Sequence, residues 1–259
     1  MKIQEIIDAL ELAAPLRLQE EYDNSGLQAG FPDRELTGVL VCLDVTEAVL
    51  EEAVSRGCNM VVSHHPLLFR PLRTVSDVTY QQRCVVDAIK QDIVIYSSHT
   101  CLDNAPGGVN HKIASLLNLP SLRWLQPIAG EDAGSGLVGE LPAPMDAADF
   151  LALLKSVFGV KALLHSELPT SPVKTVALCG GAGAFLMKPA RAAGADCFIS
   201  GEFHYHDYFE NDGMLLAELG HYQSEQYTID LLHDIIKAAF PDARVEKTAI
   251  DTNPIRYSL

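Results

Sequence analysis

Short, dense apolar runs alternate with stretches of helical spacing along this chain, and that alternation sets the expected architecture. Residues 1–7 read as the start of an amphipathic helix. Residues 36–45 (LTGVLVCLDV) are mostly apolar, as a strand covered on both faces should be. Residues 47–56 switch to helical spacing and stop at Gly57, a helix-ending signal. Residues 60–63 form a short strand that runs into His64-His65-Pro66, where Pro66 stops both ladder and helix. A helix over 79–90, a strand over 93–97 and a helix from Gly107-Gly108 through Leu117 complete a βαβαβ series, which implies a mainly parallel sheet.

The same grammar returns in the second half. Strands are expected at 173–178, 197–200 and 214–219, a tight loop at 179–183, and helices at 184–193 and 221–239. Residues 127–171 are richer in Gly, Pro and Ala and carry one helix, at 146–158. The expected fold class is α/β with two lobes, 1–125 and 126–259, built on mainly parallel or mixed sheets flanked by helices.

Composition narrows the function classes. Nearly half of the 259 residues are apolar and a fifth are charged, which is globular composition. The net charge of −15, from 34 acidic and 19 basic residues, argues against a nucleic-acid clamp. None of the six cysteines forms a CxxC pair, so zinc ribbons and thioredoxin-like sites have no support. No signal-peptide pattern or membrane-length apolar run is present, and the expected location is the cytoplasm.

Candidate chemistry sits at the ends of the apolar runs. His64 and His65 follow one strand, His99 and Asp103 another, and His221 and Glu225 open a helix after a third. In open α/β sheets, ligands gather beyond the carboxyl ends of strands. Adjacent imidazoles at a strand end can serve neighbouring ions. His221 and Glu225, four apart on a helix, share one face. Three His and two carboxylates exceed what one tetrahedral ion with an open position takes, and so suggest two metals and activated water.

Each residue also has a plainer reading. Asp103 alone reads as a turn carboxylate, and the His221–Glu225 pair as a helix start. His99 could orient Asp103 or a water. Cys101, between His99 and Asp103, reads as structural. Glu202, His204 and His206 form a second tier: His206 reads equally as a proton shuttle or a half-buried ring, while His204 and Glu202 suit a turn. Cys179-Gly180-Gly181-Ala182-Gly183 lacks the spacing of a nucleotide loop and reads as a tight turn.

Glu21-Tyr22-Asp23-Asn24-Ser25-Gly26-Leu27, Ser63-His64-His65-Pro66, His99-Thr100-Cys101-Leu102-Asp103, the 201–206 segment GEFHYH and the 220–225 segment GHYQSE occur in that order. With them, nearly end to end, the chain resembles the Nif-three-like family of dinuclear-metal proteins, the GTP cyclohydrolase I type 2 homologues. The resemblance implies a single two-lobed family domain, a metal site between the lobes, and a toroidal homohexamer. It implies two divalent ions per subunit, held by His64, His65, Asp103, His221 and Glu225 with the carboxylates bridging; zinc, iron and manganese all suit this set. It makes His206 a proton donor or substrate contact, although His204 stands where the family more often has a basic residue. If the family's label holds, the small-molecule substrate is GTP, attacked at the purine C8 with ring opening and formate release, and His206 or His99 relays protons. The alternative is a metal-binding scaffold or metallochaperone with a protein partner.

Overall fold

Apolar runs become strands at the expected places, though most are trimmed. The computed structural model describes residues 1–258, and among them are eleven strands and nine α-helices. The strands are β1 (Gly26–Ala29), β2 (Val39–Cys42), β3 (Met60–Ser63), β4 (Val94–Ser97), β5 (Arg123–Pro127), β6 (Gly134–Met145), β7 (Leu164–His165), β8 (Val173–Cys179), β9 (Cys197–Ser200), β10 (Leu215–Glu218) and β11 (Val245–Lys247). The helices are α1 (Ile3–Ala13), α2 (Glu47–Ser55), α3 (Tyr80–Lys90), α4 (Thr100–Asp103), α5 (Val109–Leu116), α6 (Ala147–Phe158), α7 (Met187–Ala192), α8 (His221–Glu225) and α9 (Thr228–Ala239). None is long and apolar enough to cross a membrane.

Packing divides the chain into two units, one of Met1–Leu102 with the chain from Thr228 onward, the other of Asp103–Tyr227. This differs from a division at 125/126. The reason lies in the last segment, which returns to the first unit: β11 joins the edge of β2, and α9 packs on α1.

The first unit holds a five-stranded sheet in the order β1-β4-β3-β2-β11, parallel except for β1. Leu40, Val61 and Ile95 from three neighbouring strands pack with Val49, Leu50 and Ala53 of α2 and Cys84, Val85 and Ala88 of α3. Burying each Val, Leu or Ile side chain fully is worth roughly 1.5–3 kcal/mol, which sustains strands of only four residues. Local chemistry sets the helix starts. The Thr46 hydroxyl accepts from the Val49 amide ahead of α2, and Thr79 with Gln82 forms a capping box ahead of α3.

The second unit holds a six-stranded mixed sheet, β5-β6-β8-β9-β10-β7, in which only β8, β9 and β10 run parallel. Val138, Ala177, Phe198 and Leu216 build its core with Leu186 and Ala190.

Three local expectations need correction. The Gly-rich stretch after residue 127 contains β6, the longest of the strands described. Its glycines mark close approach: a Cβ on Gly134 would meet the Gln126 carbonyl oxygen at 2.6 Å, and one on Gly139 the Leu122 side chain at 2.9 Å. The helix expected over 221–239 is two helices. Between them, Gln226 and Tyr227 send their side chains to the Phe158 and Val157 carbonyls at 3.4 and 3.0 Å. Asp103, expected outside any helix, closes the single turn α4. All six cysteines are buried and none is in a disulfide, consistent with small hydrophobes.

Candidate metal centre

In the first unit, the carboxyl ends of β3 and β4 build a three-imidazole cluster. The Ser63 and Ser97 hydroxyls are hydrogen-bonded at 2.7 Å, and they lie 2.8 and 3.3 Å from the His65 carbonyl oxygen. The His65 amide donates to the Leu43 carbonyl at 3.0 Å. These bonds turn the chain so that two consecutive His rings share one side, which a continuing strand would forbid. His64, His65 and His99 then stand with ring centres 4.9, 5.3 and 5.6 Å apart, each offering a ring nitrogen within 4.8 Å of the others.

One nitrogen of each ring faces an acceptor. His64 Nδ1 lies 2.9 Å from the Ser98 carbonyl oxygen, His65 Nδ1 2.7 Å from Asp44 Oδ1, and His99 Nδ1 2.7 Å from Asp23 Oδ1. A carbonyl or an ionised carboxylate only accepts, so Nδ1 is the donor and Nε2 is the nitrogen left to face a cation. Asp23 also accepts from the Thr100 amide at 3.1 Å, from the Thr100 hydroxyl, and from Ser25 Oγ at 2.8 Å. Burial alone would raise the Asp23 carboxyl. The hydrogen bond and charge of His99, with the two hydroxyls, outweigh burial and hold Asp23 well below the usual carboxylate range. The same balance of burial against His65, Thr252 and His64 lowers Asp44.

The second unit assembles its own donors. After β10, Gly220 adopts φ 93° and α8 begins. His221 Nε2 lies 3.1 Å from Glu225 Oε2, and His221 Nδ1 lies 3.0 Å from Glu202 Oε1. Asp103 and Glu225 bring carboxylate oxygens within 4.8 Å of each other. Buried Glu225 rests on the loop after β8, where Gly181 has φ 59° and a Cβ would sit 2.4 Å from Glu225 Oε1. The Gly181 amide donates to Ser224 Oγ at 3.0 Å, and its carbonyl accepts from the amides of Gly201 and Glu202 at 2.8 and 3.1 Å. The tight turn expected at 179–183 is therefore the floor of the carboxylate site.

The remaining sequence candidates separate. His99 stands with His64 and His65. Glu202 pairs with His221, so its place is not merely a turn. The His204 amide donates to Asp207 Oδ2 at 2.7 Å, opening the 3-10 turn Tyr205–Phe209. His206 is exposed on that turn, its ring against Tyr205 and Phe209, and among the described residues it joins none of the metal-competent clusters. Sequence reasoning gave no role to Asp23 or Asp44. Asp44 had a usable signal, being the charged residue that ends the apolar run of β2.

The sequence model of the Duf34/NIF3 (NGG1p interacting factor 3) family matches residues 1–254. The chain belongs to this family. It is 36% identical over 230 residues, 87% of each chain, to a Clostridium perfringens protein named GTP cyclohydrolase 1 type 2 homolog. It is 31% identical over 259 residues, 98% of each chain, to a Lactococcus lactis protein of the same name. A crystal structure of a Bacillus cereus protein related to NIF3 superposes with a TM-score of 0.91, at 22% identity, over 100% of this chain and 99% of the other, and so shares the fold. The mixed α/β architecture is thus the NIF3 fold, and it carries His and carboxylate groups that could bind metal.

Proposed function

We propose that this NIF3-family chain is a dinuclear metal-dependent hydrolase, with His64, His65, Asp103, His221 and Glu225 as ligands. The anchoring of Nδ1 in His64 and His65 carries the reading. An imidazole fixed through Nδ1 is prepared to donate Nε2 to a cation, and its acceptor raises its basicity. With two carboxylates, this mixed nitrogen and oxygen set suits zinc, iron or manganese. Divalent ions held there would supply Lewis acidity at neutral pH. His99, held by Asp23, would take or deliver a proton at Nε2. His206 would meet substrate from its exposed turn.

The names of the relatives carry GTP as the substrate of this reading, with opening of the purine five-membered ring and release of formate. The family description, an interacting factor, favours a second reading in which the same donors serve a metal-binding scaffold with a protein partner. Metal analysis of the purified chain beside Asp103→Ala and Glu225→Ala, then a formate-release assay with GTP, separates them. Two ions per chain lost in both variants, with metal-dependent formate release, is the expected result. Two ions without release favours the scaffold or another substrate. A wild type that takes up no metal after reconstitution ends both readings. A homohexamer belongs to the same proposal, and light scattering on the purified chain tests it.

A further inference from the structure

The chain beyond β11 stays in partnership with β2 and with the residues that follow β2. Val245 pairs with Val39 and Lys247 with Val41 in parallel register. The Thr248 amide then donates to the Val41 carbonyl at 2.9 Å. The Thr248 hydroxyl and the Ala249 amide donate to the two carboxylate oxygens of Glu52 on α2, the latter bond at 2.9 Å. Further on, the Thr252 hydroxyl donates to Asp44 Oδ2 at 2.7 Å. The other oxygen of that carboxylate, Oδ1, faces His65 Nδ1 at 2.7 Å. Asn253 beside it is buried, and its side chain accepts from the Ile255 amide at 3.0 Å.

We propose that Thr252 is a positioning residue for His65, acting through Asp44. A carboxylate held by one partner keeps a broad choice of plane about its last torsion. A donor on each oxygen removes that choice, and here the two donors are Thr252 and the imidazole. The tail has its own anchorage at Glu52 and Val41, so the Thr252 hydroxyl is not needed to dock it. It serves the orientation of Asp44, and through it the direction in which His65 Nε2 points. The inference rests on the reading of His65 as a metal ligand.

The test compares Thr252→Val, which keeps the shape and removes the hydroxyl, with Thr252→Ser, which keeps the hydroxyl. Zinc affinity is read by competition with a chromophoric chelator, and the His65 Nδ1 proton by NMR of the metal-free full chain. Thr252→Val is expected to bind zinc about 10-fold more weakly, the low end of the loss usual when the group orienting a ligating imidazole is disturbed. Its His65 Nδ1 proton should exchange faster, and the metal-free chain should melt slightly lower for the lost bond to Asp44. Thr252→Ser should match the wild type in all three. Wild-type affinity and proton exchange in Thr252→Val would overturn the proposal. So would equal losses in both variants, which would point to tail packing. If the wild type binds no zinc, the metal reading fails, while the NMR comparison still judges the relay.

Discussion

Asp23 and His99 form a closed pair: the carboxylate sits 2.7 Å from Nδ1 with none of its side chain exposed. A carboxylate so enclosed is committed to its charged form by what surrounds it. It links the segment ahead of β1 to the end of β4, through His99 and Thr100 together.

That pair should make the metal-free protein acid-sensitive. The folded carboxyl lies below its unfolded value of about 3.9, so its contribution is complete above that pH. It is lost as pH falls through the folded pKa. Urea midpoints measured from pH 7 downward should fall below about pH 4, and Asp23→Asn should show a flatter profile. Parallel profiles would remove Asp23 as a source of the dependence.

Gly181→Ala should cost about 1–3 kcal/mol, the usual range for a residue forced into a sparsely populated backbone region. The added Cβ also meets Glu225 Oε1. Urea denaturation reads the first effect and metal content the second; a variant with wild-type values in both would show that the loop yields easily.

Glu202→Gln should weaken metal binding about 10–100-fold, as expected when a carboxylate that orients a ligating imidazole loses its charge. Chelator competition measures it. Unchanged affinity would mean that α8 alone fixes His221.

His99→Ala and His206→Ala should behave differently. Loss of an acid-base group typically costs about 10²–10⁴ in rate, and His99→Ala is expected in that range by formate release. His206→Ala should retain the full metal complement, because its ring contacts lie with Tyr205 and Phe209. Metal loss in His206→Ala would show that the exposed turn folds onto the donors.

The parts of this fold legible in the sequence are those in which one apolar face dictates one element. β3 and β9 lie at the expected residues, and α3 and α6 begin one residue after the expected starts, at Tyr80 and Ala147. β6 was illegible because its glycines record contacts with β5, which no local pattern contains. The helix break at Gln226 was hidden because both sides have helical spacing; the side chains at the break reach two carbonyls at the end of α6. The donor residues stood out as polar groups ending apolar runs. Their orienting carboxylates did not: Asp23 meets His99 across 76 positions of sequence, and only the fold brings them together.

The return of the last segment to β2 also dictates an order of assembly. During synthesis, β2, β3 and β4 emerge early, but the strand that covers the open side of β2 emerges only after the whole second unit. At about 5–20 residues per second, that leaves an all-apolar strand edge unpaired for on the order of ten seconds. Such an edge is a template for pairing with other chains. A nascent chain of this protein is therefore most vulnerable to aggregation while its second unit is being made, and protection by a ribosome-bound chaperone would matter most in that interval.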